Sequence, residues 1–157
     1  MYKFEVVEAK QFHIDELKEI KLRDDDIKEL WDAYHIKAED ALQISFDMSL
    51  KSWAGLLNGK TIFVFGVSPR RSNILSDEGE PWLLASKDIE KVKMSFLKKS
   101  RYYVGEMLKL FNKLINFVDT RNTVSKKWLE WCGFKIEDPK AYGLEGKLFH
   151  RFTMEVS

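Results

Sequence analysis

The sequence predicts a mixed α/β (α+β) fold: one central sheet, partly antiparallel and partly parallel, with helices on both faces. Three stretches carry that expectation. "SWAGLLNGKTIFVFGVS" sets Asn58-Gly59 between two apolar arms, the strongest short-range signal for a β-hairpin. "KLINFVD" is a nearly continuous apolar run, as expected of a strand covered on both faces. Between them, residues 88–112 repeat apolar side chains at helical spacing. Hairpin and crossover connections in one chain call for a mixed sheet.

Taken in order, residues 2–9 alternate well enough for a first strand, with Phe4 and Val6 on one side. A helix follows, capped near Asp15 and running through Ile20. Asp24, Asp25 and Asp26 open a second helix through Leu30, Trp31 and Tyr34, where acidic side chains favour the positive end of the helix dipole. That role accounts for the triplet without a metal. The hairpin pairs Trp53–Leu57 with Thr61–Val67. Residues 69–79 form a polar, turn-rich surface loop that begins beside Arg70 and Arg71. "PWLLAS" is a short apolar strand. Lys98-Lys99-Ser100 interrupts the next helical pattern, and Ser100 reads as a cap dividing it into two consecutive helices. After "KLINFVD", the stretch "NTVSKKWLEWCGF" writes out both ends of a helix. Asn122 caps it, Val124, Trp128 and Trp131 form an inward apolar stripe, and Gly133 ends it in the left-handed conformation. Phe134–Ile136 and "LFHRFTMEV" complete the strands, joined by a loop carrying Pro139, Gly143 and Gly146.

Composition narrows the function classes. The 157 residues are 45% hydrophobic and 13% aromatic, enough for one good core and a single domain. Charged residues are 32% of the chain, yet the net charge is only +1, so neither nucleic acid nor a membrane surface is implied as a partner. Cys132 stands alone, which removes a disulfide framework and a cysteine-based metal site. The N-terminus is charged and alternating, unlike a signal peptide, and no apolar run nears the roughly 20 residues that span a bilayer. A protein of a reducing compartment is expected. His13, His35 and His150 have no ligand spacing.

The helix at residues 122–134 resembles the signature of the GCN5-related N-acetyltransferase (GNAT) family. Asn122, Ser125, Trp128, Leu129, Gly133 and Phe134 fall at the matching spacings, and the element order fits over nearly the whole chain. "PWLLASKDIEKVKMSFLKKSRYYVGEMLKL" and the terminal "LFHRFTMEV" also resemble small proteins of T7-like bacteriophages tied to assembly of the internal virion proteins.

The GNAT resemblance implies an acetyl-coenzyme A cofactor held in a V between two splayed parallel strands, here "PWLLAS" and "LINFVD". Open backbone groups near Leu84 and Ser86 would pair with the pantetheine arm. The pyrophosphate would sit on the following helix N-terminus, where free amides and the dipole attract anions. Aligned on Leu108, the family's glycine-rich motif falls on Ser100, Tyr103 and Gly105, of which only Gly105 matches. Lys98, Lys99 and Arg101 around Ser100 would supply cations for the phosphates. Asn122 and Ser125 belong to the same cofactor-side signature. The family's proton-donating Tyr position is Leu129, which cannot donate. Glu78 and Glu80 are the candidates for a base, although a polar-loop carboxylate is ordinarily just solvated, and the catalytic residues stay open. The two resemblances imply different functions: N-acetylation of an amine-bearing substrate, or a non-catalytic assembly factor acting by contact with phage or host proteins. The second places the protein in a host cytoplasm or on the virion.

Overall fold

The computed structural model describes residues 2–70 and 77–156. Its elements run β1 (Phe4–Glu8), α1 (Gln11–Lys18), α2 (Asp24–Tyr34), α3 (Ala38–Met48), β2 (Lys51–Leu57), β3 (Lys60–Pro69), β4 (Glu78–Ala85), a short 3-10 turn (Lys87–Lys91), α4 (Lys93–Leu110), β5 (Lys113–Asp119), α5 (Thr123–Cys132), β6 (Lys135–Ile136), β7 (Lys140–Tyr142) and β8 (Lys147–Glu155). One eight-stranded sheet takes them in the order β1-β2-β3-β4-β5-β8-β6, with β7 also pairing β8. Every neighbour is antiparallel except β4 and β5. The mixed sheet with a parallel pair in its middle is the one the sequence predicts.

Local chemistry sets the connections. Asn58 and Gly59 both take positive φ, 51° and 82°, the tight turn that matches strand twist. Asn122 Oδ1 accepts the Ser125 amide at the start of α5, and Gly133 at φ 99° ends it. The sheet separates two cores. On one face α5 and α4, the latter through Phe96, cover Phe63, Phe65, Leu114 and Phe152. On the other, α1–α3 cover Ile14, Leu17, Leu42, Val64 and Leu84.

Several expected boundaries move. α1 begins at Gln11 rather than near Asp15, because His13 Nδ1 accepts the Lys10 amide and substitutes for an aspartate cap. α3 and β7 have no counterpart among the elements expected from the sequence. Residues 93–110 form one helix, not two, since Ser100 is buried mid-helix with its hydroxyl donating to the Phe96 carbonyl. This local bond satisfies the serine inside a helix as well as a cap would. β4 starts at Glu78, inside the stretch read as loop. Arg70 pairs with Glu78 at 3.6 Å, while Arg71 lies outside the described residues. The stripe expected to face inward on α5 holds only at Trp128, which packs against the core; Leu129 and Cys132 are buried beside it, whereas Val124 and Trp131 are 45% and 43% exposed. Among the described residues no helix is long and apolar enough to cross a membrane.

Candidate functional site

The parallel strands β4 and β5 pair only at Glu78↔Lys113 and Gly79↔Leu114, and beyond those residues they separate. Strand alternation then decides which backbone groups face the gap. The Ser86 amide donates to Ile62 of β3, so even-numbered residues of β4 serve the β3 ladder. Odd-numbered residues look the other way. The Pro81 carbonyl accepts Asn116 Nδ2 at 2.7 Å, and the Ala85 amide donates to Asp26 Oδ2 at 3.0 Å. On the β5 edge, the Phe117 amide is held by Asn116 Oδ1 and the Asp119 amide by Glu29 Oε1 at 3.1 Å. Leu83, between Pro81 and Ala85, therefore turns its backbone N–H and C=O into the gap.

A cleft of about 630 Å³ occupies this gap and passes through the sheet. Toward α4 and α5 its walls include Val104, Met107, Trp128 and Leu129. Toward α2 and α3 they include Tyr34, Ile44, Met48, Trp82 and Tyr142. The turn between β7 and β8 closes that second mouth on one side. Leu144 and Glu145 donate their amides to the Ala33 and Asp32 carbonyls at the end of α2. Gly143 makes the approach possible, since a Cβ there would lie 2.4 Å from Ala33 Cα. The Tyr34 and Tyr142 hydroxyls meet at 2.7 Å across the same seam.

α2 spans the open ends of the two strands. Asp26 and Glu29 lie one helical turn apart on one face; Asp26 holds β4 at Ala85, and Glu29 holds β5 at Asp119. The chain before α2 reinforces the first contact, because the Arg23 amide donates to the Ala85 carbonyl at 2.8 Å and Leu22 forms a bridge with Ser86. Burial pushes the Asp26 carboxyl up, and the Arg23 guanidinium, bonded to both its oxygens, opposes that push. Burial also pushes Glu29 up, to about 7, against the hydrogen bonds from Asn122 and the Asp119 amide; the nearby charges of Asp26 and Asp119 add to the push. Burial alone would raise Asp119, but the Arg121 guanidinium, bonded to both its oxygens, holds it below the usual carboxylate range.

The residues singled out from the sequence scatter. Leu84 is buried in the α1–α3 core and its backbone faces β3; Leu83 is the residue that faces the gap. Ser86 is buried, with amide and hydroxyl both donated to the Ile62 carbonyl, so it offers no open group. Lys98, Lys99, Ser100 and Arg101 lie inside α4, well past its first turn at Lys93. Ser100 accepts Trp128 Nε1 at 3.0 Å and links α4 to α5. Arg101 stacks on the Trp131 ring at 4.3 Å and donates to its carbonyl, and Lys99 lies over the Phe4 ring. The basic cluster is thus not gathered at a helix N-terminus. Gly105 is exposed on α4, and a Cβ added there would meet nothing within 4 Å, so it neither packs on the sheet nor approaches the gap. Asn122 and Ser125 do belong to the site: Asn122 is buried beside Glu29 and donates to it at 2.9 Å, and Ser125 lines the cleft. Glu80 lines the cleft as well, whereas Glu78 is paired with Arg70. Cys132 lines it too, but burial pushes its thiol up to about 11, too high for a nucleophile at neutral pH.

The sequence reading missed Leu83, Arg23, Asp26, Glu29 and Asn116. Asn116 carried a readable signal as the single uncharged polar residue inside "LINFV". Asp26 and Glu29 were legible only as helix-start and surface charges, because which carboxylate turns inward depends on where α2 docks.

No family model and no curated protein matches the sequence. Solved structures match closely in shape. A ribosomal-protein-alanine N-acetyltransferase from Brucella melitensis superposes with a TM-score of 0.71 at 11% identity, covering 97% of this chain and 99% of that one. A GNAT-family acetyltransferase from Streptococcus pneumoniae gives 0.62 at 16% identity, over 98% and 100% of the two chains. A Bacillus subtilis acetyltransferase in complex with CoA gives 0.65 at 12% identity, over the whole of both. The likeness covers 97% or more of this chain in each case: the chain has the fold of the GNAT acetyltransferases.

Proposed function

We propose that the protein is an N-acyltransferase that takes acetyl-coenzyme A as acyl donor and an amine as acceptor. The observation that carries this reading is the separation of β4 from β5 around a through-going cleft, with the Leu83 backbone turned into it. A strand edge with free N–H and C=O groups can pair with an extended amide-bearing arm as it would with another strand. Amine acceptors accord with the alanine N-acetyltransferase and the aminoglycoside acetyltransferase of like fold.

The residues present fit the acyl end of such a cofactor: Leu83 offers the backbone pair, and Val104, Met107 and Trp128 supply an apolar wall. The cofactor would contribute an activated acetyl group as a thioester. The chain's own part is to align that group with the acceptor and to exclude water, effects that depend on position more than on a dedicated acid. Leu129, buried on α5 where the family signature would place a proton donor, has no proton to give, so this chain would offer no acid at that position. The outer part of the arm meets an obstacle: Leu22, Arg23 and Asp26 already occupy the edge of β4 at Ala85 and Ser86. Loading requires this clasp to open.

Thermal unfolding with coenzyme A is the test. Ligand bound only by the native state, at a hundredfold excess over its dissociation constant, stabilises by about 2.7 kcal/mol. Leu83→Pro removes the N–H that faces the gap without touching the β3 ladder, and should abolish the shift. No shift at millimolar coenzyme A, in the wild type and in an Asp26→Ser variant with the clasp weakened, overturns the reading. The clasp itself favours a second reading, in which the fold is kept as a contact scaffold, as in the virion-assembly resemblance. That reading predicts no coenzyme A binding in either protein.

A further inference from the structure

The α2–α3 mouth of the cleft combines features the acyl-transfer reading does not explain. Its walls are apolar and open to solvent: Tyr34, Ile44, Met48 and Leu144 are 49%, 40%, 41% and 65% exposed. At its inner end stands the Glu29 carboxylate. Oε1 accepts both the Asn122 amide group and the Asp119 N–H, which fixes the carboxylate plane. Among the described residues nothing donates to Oε2. Among the described residues the neighbouring guanidiniums are bonded elsewhere: Arg23 is bidentate on Asp26, although it also feels the Glu29 charge, and Arg121 binds Asp119 and Asp32 at 2.6 Å each. Glu29 is therefore a fixed carboxylate that, among the described residues, has one oxygen without a protein donor and no direct ion pair, beside an apolar mouth.

We propose that this mouth binds a primary ammonium group carried on an aromatic or branched apolar skeleton, with Glu29 Oε2 receiving the ammonium and accepting its proton. The chemistry follows from the parts. A carboxylate held by two donors and without a direct ion pair favours a positive donor over a neutral or anionic one. Tyr34, Met48 and Trp82 offer aromatic and adaptable apolar surface for the skeleton. A polycation such as a polyamine would meet, besides Glu29, only the Arg23-paired Asp26 and Glu80 among the cleft's carboxylates, and otherwise an apolar wall. In the proton step one N–H bond of the ammonium breaks and an O–H bond forms on Oε2. The nitrogen keeps its electron pair, the carboxyl becomes neutral, and its proton later leaves to solvent through the mouth. A base is most effective when its pKa lies near the working pH, and burial between Asp26 and Asp119 moves Glu29 in that direction. The proton step rests on the acyl-transfer reading; the binding of the amine does not.

Calorimetric titration without any cofactor separates the two. 2-Phenylethylamine should bind saturably at pH 8, and the neutral isostere 2-phenylethanol at least about tenfold more weakly, the loss expected when a charged hydrogen bond is removed. Glu29→Gln should lose a similar factor while retaining its fold by circular dichroism. Met48→Ser, at the exposed wall, should weaken the aromatic amine and not ammonium itself. Amine affinity in the wild type should rise as pH increases through about 7, the value for Glu29 flanked by Asp26, Asp119, Arg23 and Arg121, and this rise should vanish in Glu29→Gln. Equal binding of amine and alcohol, preferred binding of spermidine, or unchanged affinity in Glu29→Gln overturns the proposal. A coenzyme A shift without amine binding would retain acyl transfer and reject this acceptor class. Amine binding without a coenzyme A shift would do the reverse.

Discussion

The two faces of the sheet are built on different terms. The α4–α5 face is closed by aromatic packing: Phe63 lies 4.5 Å from Phe96 by ring centroids, Phe65 5.2 Å from the same ring, and Trp128 5.3 Å from it on the far side. Its polar groups serve that packing, as when Ser100 accepts the Trp128 indole. The α1–α3 face has a smaller aliphatic core, and its contact with the strand ends is polar. There Asp26, Glu29, Asp119 and Asn122 sit in or beside the interior, joined to two backbone amides of the splayed strands. Burying carboxylates costs stability even when they are partnered. A protein that needed only to close this face would do better with leucine. The difference sets buried polar groups on the α2 side of the cleft and aromatic packing on the other.

Phe63→Ala breaks the comparison most directly. Phe63 is fully buried and touches the rings of Phe4, Phe65 and Phe96. Its truncation should cost about 4–5 kcal/mol in urea unfolding, the upper part of the range for a buried aromatic. A cost below about 2 kcal/mol would mean that the aromatic face is not the one that holds the fold. Asp26→Ala comes next, since it leaves Arg23 without its buried partner and the Ala85 amide without its acceptor. About 3–4 kcal/mol is expected, the usual penalty for breaking rather than replacing a buried pair. If both changes proved equally mild, the contrast between the faces would fail.

Glu29→Gln sharpens the contrast through pH. In the folded chain Glu29 moves from its ordinary 4.5 to about 7, so between those values the native state binds more protons than the unfolded one. Stability from this group is then complete below about 4.5 and is lost as pH rises through about 7. The loss amounts to about 3 kcal/mol at most. Gln keeps the acceptor oxygen for Asn122 and the Asp119 amide and removes the titration. The variant should match the wild type near pH 4 and exceed it at pH 8 by up to that amount. Parallel stability curves for the two proteins across this range would place Glu29 in water, and the polar interior of the α2 face would lose its main witness.

What was legible in the sequence divides along the same line. Features written in consecutive residues came through: the Asn58-Gly59 turn, the Asn122 cap with its Gly133 stop, and the apolar run of β5. Their physics is local, fixed by φ preferences and short hydrogen bonds. Features that depend on docking did not. Ser100 has the chemistry of a cap, and only the packing of α5 against α4 makes it a buried link instead. Alternation puts Leu84 and Ser86, the residues expected at the gap, on one backbone edge and Leu83 on the other, and only the β3 register shows that the gap lies on the Leu83 edge. Asp26 and Glu29 share a helix face with i,i+3 spacing, but the turn from Leu22 onto the edge of β4 is what brings that face across the strand ends. The site is legible last because it is assembled from long-range contacts.

Trp131→Ala is the smallest expected effect and tests this lesson on one residue. Spacing with Val124 and Trp128 puts Trp131 on an inward stripe, where its loss would cost about 3–5 kcal/mol. In the structure α5 is rotated so that Trp131 lies 43% exposed, its ring covered by the Arg101 guanidinium and its indole N–H directed at the Leu97 carbonyl at 3.3 Å. The Arg101 contact is worth about 0.5–1 kcal/mol at such an exposed position, and the long hydrogen bond adds little. A total loss near 1 kcal/mol in urea is therefore expected, with no effect on coenzyme A or amine binding. A loss above about 3 kcal/mol would return Trp131 to the interior, with α5 rotated to suit, and would move Leu129 and Ser125 away from the cleft they line.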